Sequence, residues 1–376
     1  MSRSPSVADL RISTTAGQRP SVVYFALYDR NEAPGVHQKI TGVLAAARDA
    51  GFVTRAWAEP FSQPAVGRMA AAIVASTETH IIVRSQGWAN MFLWGALRGV
   101  RRRGQHVIVD VPTPHYVGVR EVWRSRDTAW RRLRAVIAFY VSGPWSLWPA
   151  SRIVQYAPEN WWFGLGNAAR TVEIGNGIDV AAVVPRRGAP PWPSPTLHVL
   201  TVASVARWHG LDRLLHAVRA YQDRSPRAFD IHVTIAGDGP ALPRLRETAE
   251  SLQLLPLVTF AGTVTGPRLQ ELYESAHVAV SSLGLHRIGL SRASVLKARE
   301  YCAVGIPFIA SGQDPDFPSA TPFRLTVSGN ETIHELVELF VRFDSVYARF
   351  DDAAERAFAR SHLDWRSKLG AFGLQP

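Results

Sequence analysis

Residues 184–195 read Val-Pro-Arg-Arg-Gly-Ala-Pro-Pro-Trp-Pro-Ser-Pro, five prolines in twelve positions. Such a run is stiff, cannot feed a strand ladder or a helix interior, and marks a boundary. On both sides of it the same rhythm runs: short β-branched apolar stretches alternate with longer helical patterns. Upstream, strands are predicted over 21–26, 52–58, 80–84, 105–110, 152–155 and 171–174, with helices over 36–50, 65–76 and 88–103. Downstream, strands are predicted over 197–204, 230–236, 257–260, 277–282 and 306–310. Helices there are predicted over 211–223, 241–253, 266–275, 293–303 and, last, 331–346. Strands of this length between helices imply parallel sheets covered on both faces.

The division that follows is a leader over 1–20, rich in Ser, Thr and Arg and expected to be disordered, and a first domain over 21–185. The linker proper is 186–195, a second domain covers 196–360, and a tail over 361–376 is expected to fold back on the first domain. The fold class is α/β, two Rossmann-like domains facing a cleft. Ligands of open α/β sheets sit at the carboxyl ends of the strands, so a cleft enzyme with one substrate per domain fits the layout. No short-period repeat is present; whole βα units repeat.

A chain of 376 residues with 47% hydrophobic and 19% charged residues has ordinary globular composition, which excludes a disordered or fibrous protein. The net charge is +11. Only Lys39, Lys297 and Lys368 are lysines, leaving 39 of the 42 basic residues as arginine. So skewed a ratio reads as codon bias as readily as a ligand requirement, and charge alone decides little. Cys302 is the single cysteine, so no intrachain disulfide or cysteine-based metal cluster is available. The start carries no apolar signal core, and the most apolar run, 135–150, is broken by Pro144 and Pro149. A cytoplasmic protein is the default expectation.

Three elements of the second domain carry chemistry. Its first strand ends in Val205-Ala-Arg-Trp-His-Gly210, just before a helix. A strand end, a glycine and a helix N-terminus make an anion site, to which Arg207 adds a fixed planar cation. Taken alone, the pattern fits a plain βα turn with a solvated arginine at least as well. The next strand ends in Gly237-Asp238-Gly239-Pro240, where glycines let backbone approach a ligand and Pro240 suits a first helical turn. The third element, Leu290 to Ser311, reads as a helix, a glycine C-cap at Gly305 and a proline-led strand. It places Lys297 and Glu300 three residues apart, also the spacing of a surface salt bridge.

In this order and spacing the elements resemble the nucleotide-sugar domain of GT-B glycosyltransferases, specifically retaining glycosyltransferase family four. The likeness is good over about 200–312. Glu300-Tyr-Cys-Ala-Val-Gly-Ile-Pro-Phe-Ile309 is similar to the family's Glu-Ala-Met-Ala-x-Gly-x-Pro-Val-Ile segment, and Phe260-Ala-Gly-Thr263 and Gly237-Asp-Gly-Pro240 sit where the family places them. Residues 208–213 and 283–301 resemble a subset of bacterial surface-polysaccharide enzymes. In the first domain Pro34-Gly-Val-His-Gln-Lys-Ile40 resembles the glycine loop and first helix, Asp110-Val-Pro-Thr-Pro-His-Tyr116 resembles an acidic-x-Pro-Thr-x-Pro-Tyr segment, and Glu173-Ile-Gly-Asn-Gly-Ile-Asp179 the closing turn.

The resemblance implies roles. Arg207, Lys297 and Glu300 are the catalytic set: the two cations neutralise the donor diphosphate and Glu300 accepts hydrogen bonds from the ribose. Gly35, His209, Gly210, Gly237, Asp238, Gly262, His286, Arg287 and Arg292 are donor-binding, with His209 standing where the wider family has a longer loop ending in Lys-Gly. Lys39, Asp110, Thr113 and His115 lie on the acceptor side. Fixed cations stabilise the leaving diphosphate without a metal, so neither a metal nor another cofactor is expected. The expected partners are a nucleotide-sugar donor and a glycan or lipid-linked glycan acceptor, not nucleic acid. The expected activity is sugar transfer with retention, in polysaccharide or glycolipid assembly.

One departure stands out. The family pairs two glutamates separated by seven residues; the second is Glu300, but position 292 is arginine. Arginine accepts no hydrogen bond, so either it serves an acidic sugar or phosphate, or the site is impaired. A non-catalytic nucleotide-binding protein and a GT-B hydrolase, epimerase or phosphorylase are therefore the rivals.

Ten arginines stand at 101, 102, 103, 120, 124, 126, 131, 132, 134 and 152, interleaved with Trp123, Trp130, Tyr140, Trp145 and Trp148. Arginine with Trp and Tyr is the signature of a helix lying in an anionic membrane interface. It also fits a solvated helix packed by its aromatics, and the residues leave both readings open. An anionic surface, with peripheral attachment to the inner face of the membrane, is accordingly a further partner expectation.

Overall fold

The computed structural model describes residues 19–30, 33–125, 127–318 and 320–375. Most of the leader and Arg126 therefore lie outside the described residues.

The first domain holds six strands: β1 Ser21–Leu27, β2 Val53–Glu59, β3 His80–Arg84, β4 His106–Val111, β5 Arg152–Gln155 and β6 Thr171–Glu173. All pair in parallel in the order β2-β1-β3-β4-β5-β6. Five helices connect them: α1 Pro34–Asp49, α2 Gln63–Val74, α3 Asn90–Arg102, α4 His115–Arg124 and α5 Ala129–Ser142. The Ser62 hydroxyl caps α2 and the Thr128 hydroxyl caps α5.

The second domain holds β7 Thr196–Val202, β8 Asp230–Ala236, β9 Val258–Gly262, β10 Val278–Val280, β11 Phe308–Ser311 and β12 Arg324–Val327. Their order is β12-β11-β10-β7-β8-β9, again parallel throughout. The helices are α6 Leu211–Gln222, α7 Leu242–Ser251, α8 Gly266–Ser275, α9 Leu296–Val304, α10 His334–Val341, α11 Phe343–Tyr347 and α12 Asp352–Phe358; α13 Trp365–Lys368 follows in the tail. The strand order reverses between β7 and β10, and in the first domain between β1 and β3. Loops leaving those strands at their carboxyl ends diverge and leave a crevice.

Three readings change. β12 is a four-residue edge strand that the pattern does not announce. The helix expected over 331–346 breaks at Arg342 into α10 and α11, and helices continue beyond it. The helix expected from 293 starts at Leu296, because the residues before it are held elsewhere: Ala293 N–H donates to Gln313 O at 3.0 Å.

The proline-rich linker is not a free hinge. The Trp192 ring packs edge-on to Phe229 and Phe343, and its indole N–H donates to Asp344 at 2.9 Å. Arg186, buried, donates to Asp352 and to the carbonyl of Ala276. The chain crosses between domains twice, at 174–183 and 359–365, and the crossings pair: Ile178 N–H donates to Leu363 O, and Trp365 N–H to Ile178 O. The tail then enters the core of the first sheet, where Trp365, Leu369, Phe372 and Leu374 are buried with Val22, Tyr24 and Ile108. Gly42 and Gly177 leave the room that the Trp365 ring fills; a Cβ on either would lie within 2.5 Å of it. The tail is therefore a clamp that joins second domain to first.

Candidate functional site

The loop after β7 runs Ala203 to Gly210, and the loop after β10 runs Ser281 to Gly284. Leu283 N–H donates to His209 O at 2.9 Å and Gly284 N–H to Trp208 O at 3.2 Å. Gly210 sits at φ +63, and a Cβ there would strike Gly284 N and Leu283 C at 2.8 Å, so no other residue lets these loops close. Gly237, at φ +129, lies against Ala203 O in the same way. The Asp238 carbonyl accepts from Val205 N–H at 2.7 Å, and Gly237 N–H donates to Gly262 O at 2.6 Å. The glycines and Asp238 thus shape the loop that carries Arg207 and His209; the Asp238 side chain itself is exposed.

His209 Nδ1 accepts from Ala206 N–H at 3.2 Å, which leaves the ring proton on Nε2. Burial, then the neighbouring Lys297 charge, drive its pKa down to about 2, so it is a neutral donor. Lys297 is 8% exposed and its ammonium has no hydrogen-bond partner among the described residues. Burial pulls its pKa from 10.5 to about 7. A buried amine with no counter-charge is costly unless a ligand completes it. Arg207 is exposed on the same loop.

Lys297 and Glu300 do not pair. Glu300 accepts from the Tyr273 hydroxyl at 2.9 Å, and burial raises its pKa. It lines an interdomain cleft of about 740 Å³, with Gly35, Lys39, Gly266, Gln270 and Leu296 among the lining residues. Gly35, second residue of α1, packs to within 3.4 Å of Leu296 Cδ1 when given a Cβ, so the N-terminus of α1 meets that of α9 across the domains.

His286 and Arg287, expected among the donor-binding residues, stand in the turn Leu285–Ile288 after β10. Arg287 donates to both Asp212 oxygens at 2.8 Å, to Glu331 and to the Arg207 carbonyl at 3.1 Å. His286 Nε2 meets Glu331 at 2.8 Å. Arg287 braces the Arg207 loop and the start of α6, and His286 holds the Glu331 carboxylate that Arg287 also engages. Arg292 is not on a helix; it pairs with Glu173 of the first domain at 3.1 Å.

On the acceptor side, Asp110 is fully buried at the end of β4 and holds the Lys39 ammonium at 2.9 Å and the Tyr24 hydroxyl. Burial lowers the Lys39 pKa to about 8, against the opposing pull of Asp110. Lys39 and Asp110 thus form an internal brace whose lysine edge reaches the cleft. Thr113 is exposed. His115 Nδ1–H donates to Glu159 at 2.9 Å, and its Nε2 faces the Ser85 hydroxyl at 3.4 Å. Asn90 Nδ2 donates to the Ser85 oxygen at 2.8 Å, which directs the serine proton toward the imidazole. Glu159, Ser85, Tyr273 and Glu173 contact the candidate site residues, and the sequence reading gave none of them such a role. Ser85 directly follows the strand predicted over 80–84, a position that could have drawn notice. Among the described residues no three His, Cys, Asp or Glu side chains group as a metal site. Nor is any helix long and apolar enough to cross a membrane.

Residues 196–328 match the model of the family described as Glycosyl transferases group 1. The match falls within the second domain of the chain. The whole chain aligns with solved structures of the same two-domain architecture. Sucrose-phosphate synthase from Thermosynechococcus elongatus aligns at TM-score 0.65 and 15% identity, over 94% of this chain and 98% of that one. HepE of Anabaena, solved in complex with UDP, aligns at 0.62 and 14%, over 94% and 99%. The lipopolysaccharide outer core galactosyltransferase WaaB aligns at 0.60 and 10%, over 94% and 99%. No curated protein sequence matches the chain. The fold is GT-B, and the enzyme is a transferase of the glycosyltransferase type.

Proposed function

We propose that this glycosyltransferase moves a sugar from a nucleoside-diphosphate sugar to a glycan hydroxyl, with retention of configuration. The observation that carries the reading is Lys297: a buried, unpaired amine beside a neutral His209 Nε2–H, at the strand-order reversal of the transferase domain. Together with Arg207 it offers fixed positive charge where a diphosphate leaving group gains negative charge, which lowers the barrier to breaking the bond from sugar to phosphate oxygen. The acceptor hydroxyl forms the new bond and its proton passes to the departing phosphate. Glu300, held by Tyr273 on the wall of the cleft, takes the ribose hydroxyls. The HepE complex with UDP supports a nucleoside diphosphate. The likeness over 283–301 supports retention, and that to WaaB an assembly role on a surface glycan or glycolipid. The charge of Arg207 and Lys297 makes the step metal-independent in this reading.

The Arg292–Glu173 pair favours a second reading, in which the sugar position is closed and nucleotide binds without turnover. Thermal unfolding with UDP, GDP and ADP, each with EDTA, tests the first step: a ligand at one hundred times its Kd stabilises by about 2.7 kcal/mol. Stabilisation by one diphosphate followed by release of that diphosphate from its sugar ester supports transfer; stabilisation without release supports the second reading; neither defeats both.

A further inference from the structure

Helix α5 is unusual among the helices of the first domain in how little of it is covered. Of fourteen residues only Phe139 and Ser142 are buried. Trp130, Leu133, Ile137, Tyr140 and Val141 are exposed, Trp130 by 66%. Their spacing of three and four places them on one face of the helix, an apolar stripe left exposed among the described residues. The stripe continues past the C-terminus of α5 into Trp145 and Trp148, and Trp161, 80% exposed, stands on the loop after β5. Contiguous exposure of this extent marks a contact surface in a folded protein.

The charges around the stripe are mostly positive. Arg131 and Arg134 flank it on α5, and Arg101, Arg102 and Arg103 close α3 in exposed positions, Arg101 donating to the Trp148 carbonyl at 3.1 Å. Over 101–165 the acidic residues are four. Two of them are spent inside, Asp110 on Lys39 and Glu159 on His115. Of the two at the surface, Asp127 lies 3.8 Å from Arg131.

We infer that this face of the first domain is a docking surface for an anionic lipid bilayer, with α5 lying in the plane of the interface. The composition selects that occupant. Tryptophan and tyrosine settle at the boundary of headgroup and acyl chain, the aliphatic side chains enter the acyl region, and arginines meet lipid phosphates. A second copy of the chain would set the same arginines against each other across a two-fold contact. Nucleic acid would use the arginines but leave Leu133, Ile137 and Val141 in water. The surface adjoins the acceptor side, since α4 starts at His115 and packs against α5. Docking therefore brings the cleft mouth to the lipid surface, where a lipid-carried acceptor would enter. That last consequence rests on the proposed function; the docking surface itself does not.

The test is flotation of the full chain with vesicles of phosphatidylcholine alone or mixed with phosphatidylglycerol, without nucleotide. Binding is expected to the mixed vesicles and to be released by salt. The Leu133→Glu/Ile137→Glu double variant changes exposed positions only, so its unfolding temperature and nucleotide-induced shift should match wild type while its flotation is lost. Arg131→Gln with Arg134→Gln should weaken partition by roughly ten- to thirty-fold, from two basic contacts at the surface. Equal binding to neutral vesicles, no binding to either, or undiminished flotation of the double glutamate variant would overturn the inference. Concentration-dependent dimers that the double variant abolishes, with no flotation of wild type, would assign the stripe to a second copy instead. Loss of the nucleotide shift with flotation intact would count against the donor reading alone.

Discussion

Replacing Lys297 by methionine should make the protein more stable and a worse enzyme. The ammonium is 8% exposed and unpaired, and its pKa falls from 10.5 to about 7 through burial. At 1.36 kcal/mol per pKa unit that shift amounts to an upper bound of roughly 5 kcal/mol of destabilisation. The sign is fixed by proton counting. Between the two values the unfolded chain holds the proton and the folded one does not, so stability rises with pH there; the penalty is full below about pH 7 and gone near 10.5. Methionine keeps the volume and removes the charge, so a gain of about 1–3 kcal/mol at neutral pH is expected once relaxation is allowed for. A bound diphosphate reverses the electrostatics by supplying the missing counter-charge, so binding takes up a proton. Above about pH 7, wild-type affinity for the nucleoside diphosphate should fall by up to about tenfold per pH unit. In Lys297→Met that slope should vanish, on top of a loss of about ten- to a hundred-fold from the missing charged hydrogen bond. Titration calorimetry across this pH range, in two buffers of different ionisation enthalpy, reads both affinity and proton uptake. A wild-type affinity flat with pH, the same slope in the variant, or a variant less stable than wild type would refute the reasoning.

Four further outcomes are expected. Glu300→Ala should weaken donor binding by roughly ten- to a hundred-fold, and Tyr273→Phe by less, since the tyrosine only holds the carboxylate; calorimetry with the nucleoside diphosphate separates them. Arg292→Glu sets like charges across the domains against Glu173; at a half-exposed pair this should cost no more than about 1 kcal/mol, and Glu173→Arg added to it should restore the loss in thermal unfolding. His80 and His277, both buried and both lowered to about 4, are neutral in the fold, so stability should be full above pH 6.5 and fall as pH drops toward 4. The loss is bounded by about 3 kcal/mol per histidine, and denaturant curves of His80→Gln should show a shallower acid slope. Trp365→Ala should cost about 3–5 kcal/mol by emptying the clamp between Gly42 and Gly177, read as a lowered urea midpoint.

The alternation of strands and helices was legible because each βα unit announces itself locally: Val22 to Leu27 is a buried strand run, and Gly51 and Gly104 stop the helices before β2 and β4. What was not legible depends on partners far away in sequence. β12 is short and lies at a sheet edge, where neither length nor alternation signals it. α9 starts three residues later than its pattern because Asn176 of the first domain donates to the Ser294 carbonyl at 2.7 Å and holds that stretch extended. In the site, the glycines and the cations stood out by type and spacing, but their environments did not. That the Lys297 ammonium lacks a hydrogen-bond partner among the described residues while Arg287 holds Asp212 and Glu331 follows from which loops meet, not from either residue's neighbours in the chain. The apolar stripe of α5 was visible as composition; only the fold shows that it stays uncovered.

The central claim is that the buried amine at the β7–β10 crevice serves transfer from a nucleotide sugar. The most direct measurement is release of nucleoside diphosphate from a panel of UDP-, GDP- and ADP-sugars in the presence of EDTA, by wild type and by Lys297→Met. Wild type should release one diphosphate from its sugar, and the methionine variant, though more stable, should release it at least tenfold more slowly. No release from any donor by wild type, or equal release by the variant, would contradict the claim.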